Sequence, residues 1–89
     1  MELQQNERLM VDKFYRVAGG MDLDQRPEFV SCDRASETCC FRFGRQGRRP
    51  YQEDFSEESI DDAQPGTLAR KMLEWRIRAA ARRASAFRS

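Results

Sequence analysis

The segment Thr38-Cys39-Cys40-Phe41-Arg42-Phe43 alternates without a break. Cys39, Phe41 and Phe43 fall on one side of an extended chain, and Thr38, Cys40 and Arg42 on the other. A period of two scatters apolar residues around a helix but gathers them on one face of a strand, so the middle of this chain reads as β. The two ends carry the other period. In residues 2–18, Leu3, Met10, Phe14 and Val17 recur at helical spacing, and Val11 and Ala18 widen the stripe. In residues 68–87 there are two apolar rows. Leu68, Met72, Trp75 and Ala79 form one, and Leu73, Ile77, Ala80, Ala84 and Phe87 form its neighbour.

Boundary signals complete the pattern. Gly19-Gly20 is expected to end the first helix in a left-handed cap. Arg8–Asp12 and Asp12–Arg16 are expected to pair along its polar side. Pro27 disfavours helix at Arg26, and residues 29–32 follow as a short strand. Residues 33–37 are a polar turn, and 44–47 supply turn glycines. Residues 49–53 can form a third strand, at a sheet edge because Pro50 has no N–H for a ladder. Ser56 caps a short helical turn to Ile60, Gln64-Pro65-Gly66 breaks the chain, and Thr67 caps the last helix. The expectation is one α+β domain over residues 1–89: an N-terminal helix, a small antiparallel sheet of two or three strands, and a C-terminal helix, in the order αββ(β)α.

Size and composition bound the function. A domain of 89 residues buries a thin core, which a partner or a second copy of the chain can complete. Charged residues are 35% of the chain against 39% hydrophobic, yet six Phe, two Tyr and one Trp argue against disorder. No run approaches the roughly 20 apolar residues that span a bilayer. The first ten residues are polar, so a cytoplasmic location is expected, and with it free thiols at Cys32, Cys39 and Cys40. Histidine is absent, which removes Ser-His-Asp and Cys-His catalysis and every His-metal site. The glycines make no phosphate-binding fingerprint. No catalytic residue, metal ligand set or cofactor is therefore assigned.

The net charge of +1 conceals blocks. Residues 41–50 hold Arg42, Arg45, Arg48 and Arg49 and no acid. Residues 51–66 hold Glu53, Asp54, Glu57, Glu58, Asp61 and Asp62 and no base. Residues 67–89 hold seven cations against Glu74. The last block, with Arg70, Lys71, Arg76, Arg78, Arg82 and Arg83 on one helix, can track a phosphate backbone; equally, it can be a solvated face neutralised by the acidic block, or a contact for a protein partner. Arg42, Arg45, Arg48 and Arg49 around a glycine turn can form the tip of a groove-entering ribbon, or they can guard an edge strand against aggregation. The acidic block can imitate a phosphate backbone, with Phe55 and Ile60 as anchors in a partner, or it can be a solvated linker. Cys32, Cys39 and Cys40 lack the C-x2-C knuckle of structural zinc, and Cys39 reads as a small core residue.

In size and style the chain resembles the small accessory proteins of phages and mobile elements, an analogy that implies a regulator, for example an inhibitor of a host defence complex. The function expected is that of a non-enzymatic regulator or inhibitor that docks on a larger protein assembly, one that handles nucleic acid. Its contacts would be Arg42, Arg45, Arg48, Arg49, Glu57, Glu58, Asp61, Asp62 and Trp75. Two alternatives stand beside it. One is direct DNA or RNA binding through Arg70, Lys71, Arg76, Arg78, Arg82 and Arg83, with a homodimer packed through its helices. The other is a metal-binding module built on the cysteines.

Overall fold

A computed structural model describes residues 3–44 and 51–86. The order is α1 (Gln5–Gly19), β1 (Glu28–Asp33), β2 (Thr38–Phe43), β3 (Tyr51–Ser56), α2 (Glu57–Asp61) and α3 (Leu68–Ala86). The three strands form one antiparallel sheet in the order β1-β2-β3, so the strand with the cleanest alternation is the central one. This is the expected α+β arrangement, with the third strand present and at an edge.

Helices cover one face of the sheet. On that face Phe41 and Cys39 of β2 are fully buried, with Phe43 beside them and Phe55 of β3 opposite Cys39 in register. α1 brings Met10, Phe14, Val17 and Ala18 down onto them. Phe14 lies flat on Phe41, with ring centroids 3.6 Å apart and planes within 11°, and meets Phe55 edge-on at 4.9 Å. α3 contributes Leu73, Ile77 and Ala80, and α2 contributes Ile60. Each of these phenylalanines is worth roughly 3–5 kcal/mol relative to alanine. That is a large share of the roughly 5–15 kcal/mol that stabilises a whole domain. Phe55 and Ile60 are thus core residues, which corrects the expectation that they could anchor the acidic segment in a partner.

The ends of α1 differ from the expected ones. Gly20 caps it in the right-handed region at φ −86°, not in the left-handed one. The last carbonyls are instead satisfied by tightened bonds, from Gly20 N–H to the Val17 oxygen at 3.2 Å and from Met21 N–H to Ala18 at 3.1 Å. Arg8–Asp12 and Asp12–Arg16 are not among the ion pairs of the described residues, because exposed pairs gain too little to hold two long side chains in place. At the N-terminus the Gln4 N–H donates to Glu7 Oε1 at 2.7 Å, half of a capping box. Arg34, from the β1–β2 turn, reaches the same carboxylate at 3.4 Å through Nε and Nη2. Glu7 is almost fully buried, and these partners tie the start of α1 to the turn.

The free-thiol expectation is corrected at two positions. Cys32 and Cys39 face each other across β1 and β2, with Cα atoms 4.0 Å apart, and are joined by a disulfide. A thiol on the core face of an edge strand stands directly opposite one on the central strand, a coincidence of register that spacing alone does not reveal. Cys40, on the other pleat, is the one free cysteine. Thiol titration of the denatured protein is expected to find one reactive group without reductant and three after reduction; three from the outset would contradict the pairing.

Acid stability follows from Glu7. The Gln4 N–H, foremost, and then Arg34 hold its carboxyl below the ordinary value near 4.5, against the opposing effect of burial. A lowered folded value means that Glu7 contributes stability above the unfolded value and that this contribution is lost as pH falls through the folded one. The melting temperature of the wild type is therefore expected to fall more than that of Glu7→Gln between about pH 6 and about pH 2. Parallel acid profiles of the two proteins would refute this.

Candidate docking face

Only one of the two apolar rows of α3 reaches the core. Leu73, Ile77 and Ala80 are buried. The other row points to solvent, with Leu68 73% exposed, Met72 59% and Trp75 67%. Leu68, Met72 and Trp75 stand one turn apart along the outer side of the helix, with Ala79 half-buried beyond them. The local reasons for α3 are the expected ones. Thr67 Oγ1 accepts the Arg70 N–H at 3.1 Å as N-cap, Gly66 before it takes a left-handed φ of 83°, and alanines dominate the second half.

What turns the outer row outward is a clamp on the edge strand. Tyr51, Glu53 and Phe55 alternate with Gln52 and Asp54 along β3, so they share its helix-facing side. Glu53 Oε2 accepts from Arg76 Nη2 at 3.2 Å, and its Oε1 accepts from the Tyr51 hydroxyl at 2.8 Å and lies 3.8 Å from Arg83 Nη1. Arg76 also donates to the Asp54 backbone carbonyl at 3.0 Å and lies over the Phe55 ring at 4.6 Å. Arg83 donates to the Tyr51 hydroxyl at 2.9 Å. Arg70 pairs with Glu74 at 3.3 Å, one turn along α3.

This divides the six cations expected to act together. Arg70, Arg76 and Arg83 are engaged by carboxylates of the same chain. Lys71, Arg78 and Arg82 are exposed and have no ion pair among the described residues. By helical spacing these three form a stripe beside the outer apolar row, with Trp75 between them and Met72. On the opposite flank, a shallow groove separates α3 from α2. Ala69 and Met72 line it from one side, and Glu58 and Asp62 from the other. The face thus runs, across the helix, from carboxylates through apolar side chains to cations.

Of the other expected contacts, Glu58 and Asp62 border this face, and the rest of those described lie elsewhere. Asp61 pairs with Lys13 of α1, and Glu57 is half-buried, its N–H donating to the Glu37 carbonyl at 2.9 Å. Glu58 and Asp62 are exposed, without an ion pair among the described residues. Arg42 projects from β2 on the sheet face away from the helices, between Glu28 and Gln52 in register, and its Nε is buried without a hydrogen-bond partner. It is therefore not part of the α3 face. Arg45, Arg48 and Arg49 lie outside the described residues.

Two of the three cysteines are joined to each other, and Cys40 stands alone on the far pleat of β2. The thiol of Cys40 is pushed up by partial burial first and by the facing Asp54 carboxylate next, opposite to the lowering that makes a cysteine reactive. Among the described residues no three Cys, Asp or Glu side chains are grouped to hold a metal ion. Nor is any helix of the described residues long and apolar enough to cross a membrane. No family model, curated protein or solved structure matches the chain.

Sequence reasoning missed the Glu53 clamp and the Glu7 tether. Gln4-x-x-Glu7 has the spacing of a capping box, a signal available in advance. Nothing local marks Glu53, because its partners Arg76 and Arg83 are more than twenty residues away. Trp75 is the one tryptophan of the chain, so fluorescence reports on this face alone. Its emission is expected to be water-like and to be quenched more strongly by iodide than by caesium, since Lys71, Arg78 and Arg82 concentrate anions around it. Equal quenching by the two ions would mean that the cations are not beside the indole.

Proposed function

We propose that this protein is a non-enzymatic regulator that docks on another protein through the outer face of α3. The observation that carries this is the exposed row Leu68, Met72 and Trp75. Single exposed apolar residues are ordinary, but three successive ones on one helix face, rimmed by charge, have the make-up of an interaction site. Tryptophan is enriched among the residues that dominate binding energy, and a helix presenting anchors at such spacing is a recurrent recognition mode. A small domain with a thin core has little concave surface for chemistry, and the lack of histidine and the raised Cys40 thiol agree with a binding role.

The partner proposed is a larger assembly that handles nucleic acid. The support is the exposed pair Glu58 and Asp62, whose carboxylates suit a basic, phosphate-binding surface, next to a cationic flank that suits an acidic one. A second reading has its own observation. Lys71, Arg78 and Arg82 around an exposed indole also resemble a platform on which a base stacks while its phosphates are neutralised. Leu68 and Met72 weigh against it, since stacking and charge neutralisation make no use of an aliphatic row.

Leu68→Ala, Met72→Ala and Trp75→Ala together separate the two. None of the three side chains supports the core, so the variant is expected to keep the wild-type melting temperature within a few degrees. A protein that co-purifies with the wild type from nuclease-treated lysate of the producing cells, and is lost from the variant, bears out docking. Identical companions for both proteins would sink it. Binding of a random-sequence oligonucleotide, lost with Trp75 and falling steeply with salt, would favour the second reading instead.

A further inference from the structure

The occupant of the α3 face can be specified further, on the premise that this face is a docking surface. It carries Glu58 and Asp62 along the groove on one flank, Leu68, Met72 and Trp75 in the middle, and Lys71, Arg78 and Arg82 along the other flank. A complementary segment must present an apolar row with carboxylates beside it on one side only. A single helix does this, because residues three and four apart share a stripe and the next stripe lies one residue over. We propose that the segment bound is an amphipathic helix of the partner protein, with its apolar row laid along Leu68, Met72 and Trp75 and a line of Asp or Glu over Lys71, Arg78 and Arg82.

Charge decides against the other protein occupant. An antiparallel second copy, related by a two-fold axis across α3, sets Lys71, Arg78 and Arg82 against the same three cations. A parallel copy offers Lys71 the Glu58 and Asp62 of its neighbour but leaves Arg78 and Arg82 facing Ala79 and Arg83, where Glu53 is already held by Arg76 and Arg83. Like charges facing one another suppress the wrong partner and opposite ones set orientation. The three cations are also spread over three turns, more than one or two acidic residues would satisfy. The partner's acidic line is therefore expected to be extended along its helix.

The probes are two synthetic helical peptides of about 18 residues, long enough to be helical when bound. They share one leucine row and lack tryptophan; one carries Glu along a flank and the other carries Lys at the same positions. The Glu peptide is expected to shift the Trp75 emission to the blue and to bind about tenfold or more tightly than the Lys peptide, the gap narrowing as salt is added. In Lys71→Glu/Arg78→Glu/Arg82→Glu, whose changes are all at exposed positions, the preference should invert while the circular dichroism spectrum stays that of the wild type. Equal binding of the two peptides, no binding of either, or an unchanged preference in the charge-reversed variant overturns the acidic helix. So does self-association of the wild type that buries Trp75. If the capture of a protein by wild type but not by the Leu68/Met72/Trp75 variant persists through such a failure, only the nature of the occupant is wrong; if that capture fails too, the docking role falls with it.

Discussion

Phe14 lying flat on Phe41 is the contact on which the rest of the molecule depends. It joins the helix that starts the chain to the strand at its centre, and Phe55 closes on both rings from the neighbouring strand. A three-stranded sheet offers one covered face with little width. Once α1 occupies it over β2, α3 is left the side toward β3, and there it can seat a single row of side chains. Leu73, Ile77 and Ala80 take that place, and a second apolar row on the same helix has nothing within the chain to cover it.

The rotation of α3 about its own axis is set by polar contacts that cost little to form at a partly hydrated edge. Glu53, Tyr51 and the Asp54 carbonyl together receive Arg76 and Arg83, and the Phe55 ring lies under one guanidinium. A planar guanidinium can satisfy several acceptors and a ring face at once, which a lysine could not do in the same geometry. The consequence is a partition. Two of the six cations on the helix, Arg76 and Arg83, hold it in place, Arg70 pairs within it, and those that remain, Lys71, Arg78 and Arg82, flank the exposed tryptophan. The same chain segment thus supplies both the fastening of α3 and the charge that surrounds its free face.

The α2 segment plays a comparable double part. Its Ile60 is core, and Asp61 crosses to Lys13 of α1, while Glu58 and Asp62 face the groove beside Met72. The acidic block is neither a loose linker nor a uniform anionic array. It is the edge strand β3, which carries Glu53 and Asp54, followed by a short capped helix, begun by Ser56 accepting the Ser59 N–H at 3.1 Å, whose inward side is apolar and whose outward carboxylates border the α3 face.

The order of elements, the central strand and its buried side, and the caps at Ser56 and Thr67 could be read from the sequence. Each is a local matter of period or of one hydroxyl against nearby N–H groups. Also legible were the charge blocks and the presence of two apolar rows on the last helix. Which row would be buried was not, because the two are equally helical and equally apolar in one dimension. That was decided by how much of the sheet α1 had left and by one carboxylate, Glu53, more than twenty residues away in sequence. The pairing of Cys32 with Cys39, the burial of Glu7 under Arg34 and the division of the cations have the same origin. They depend on distances across the fold, which periodicity does not contain.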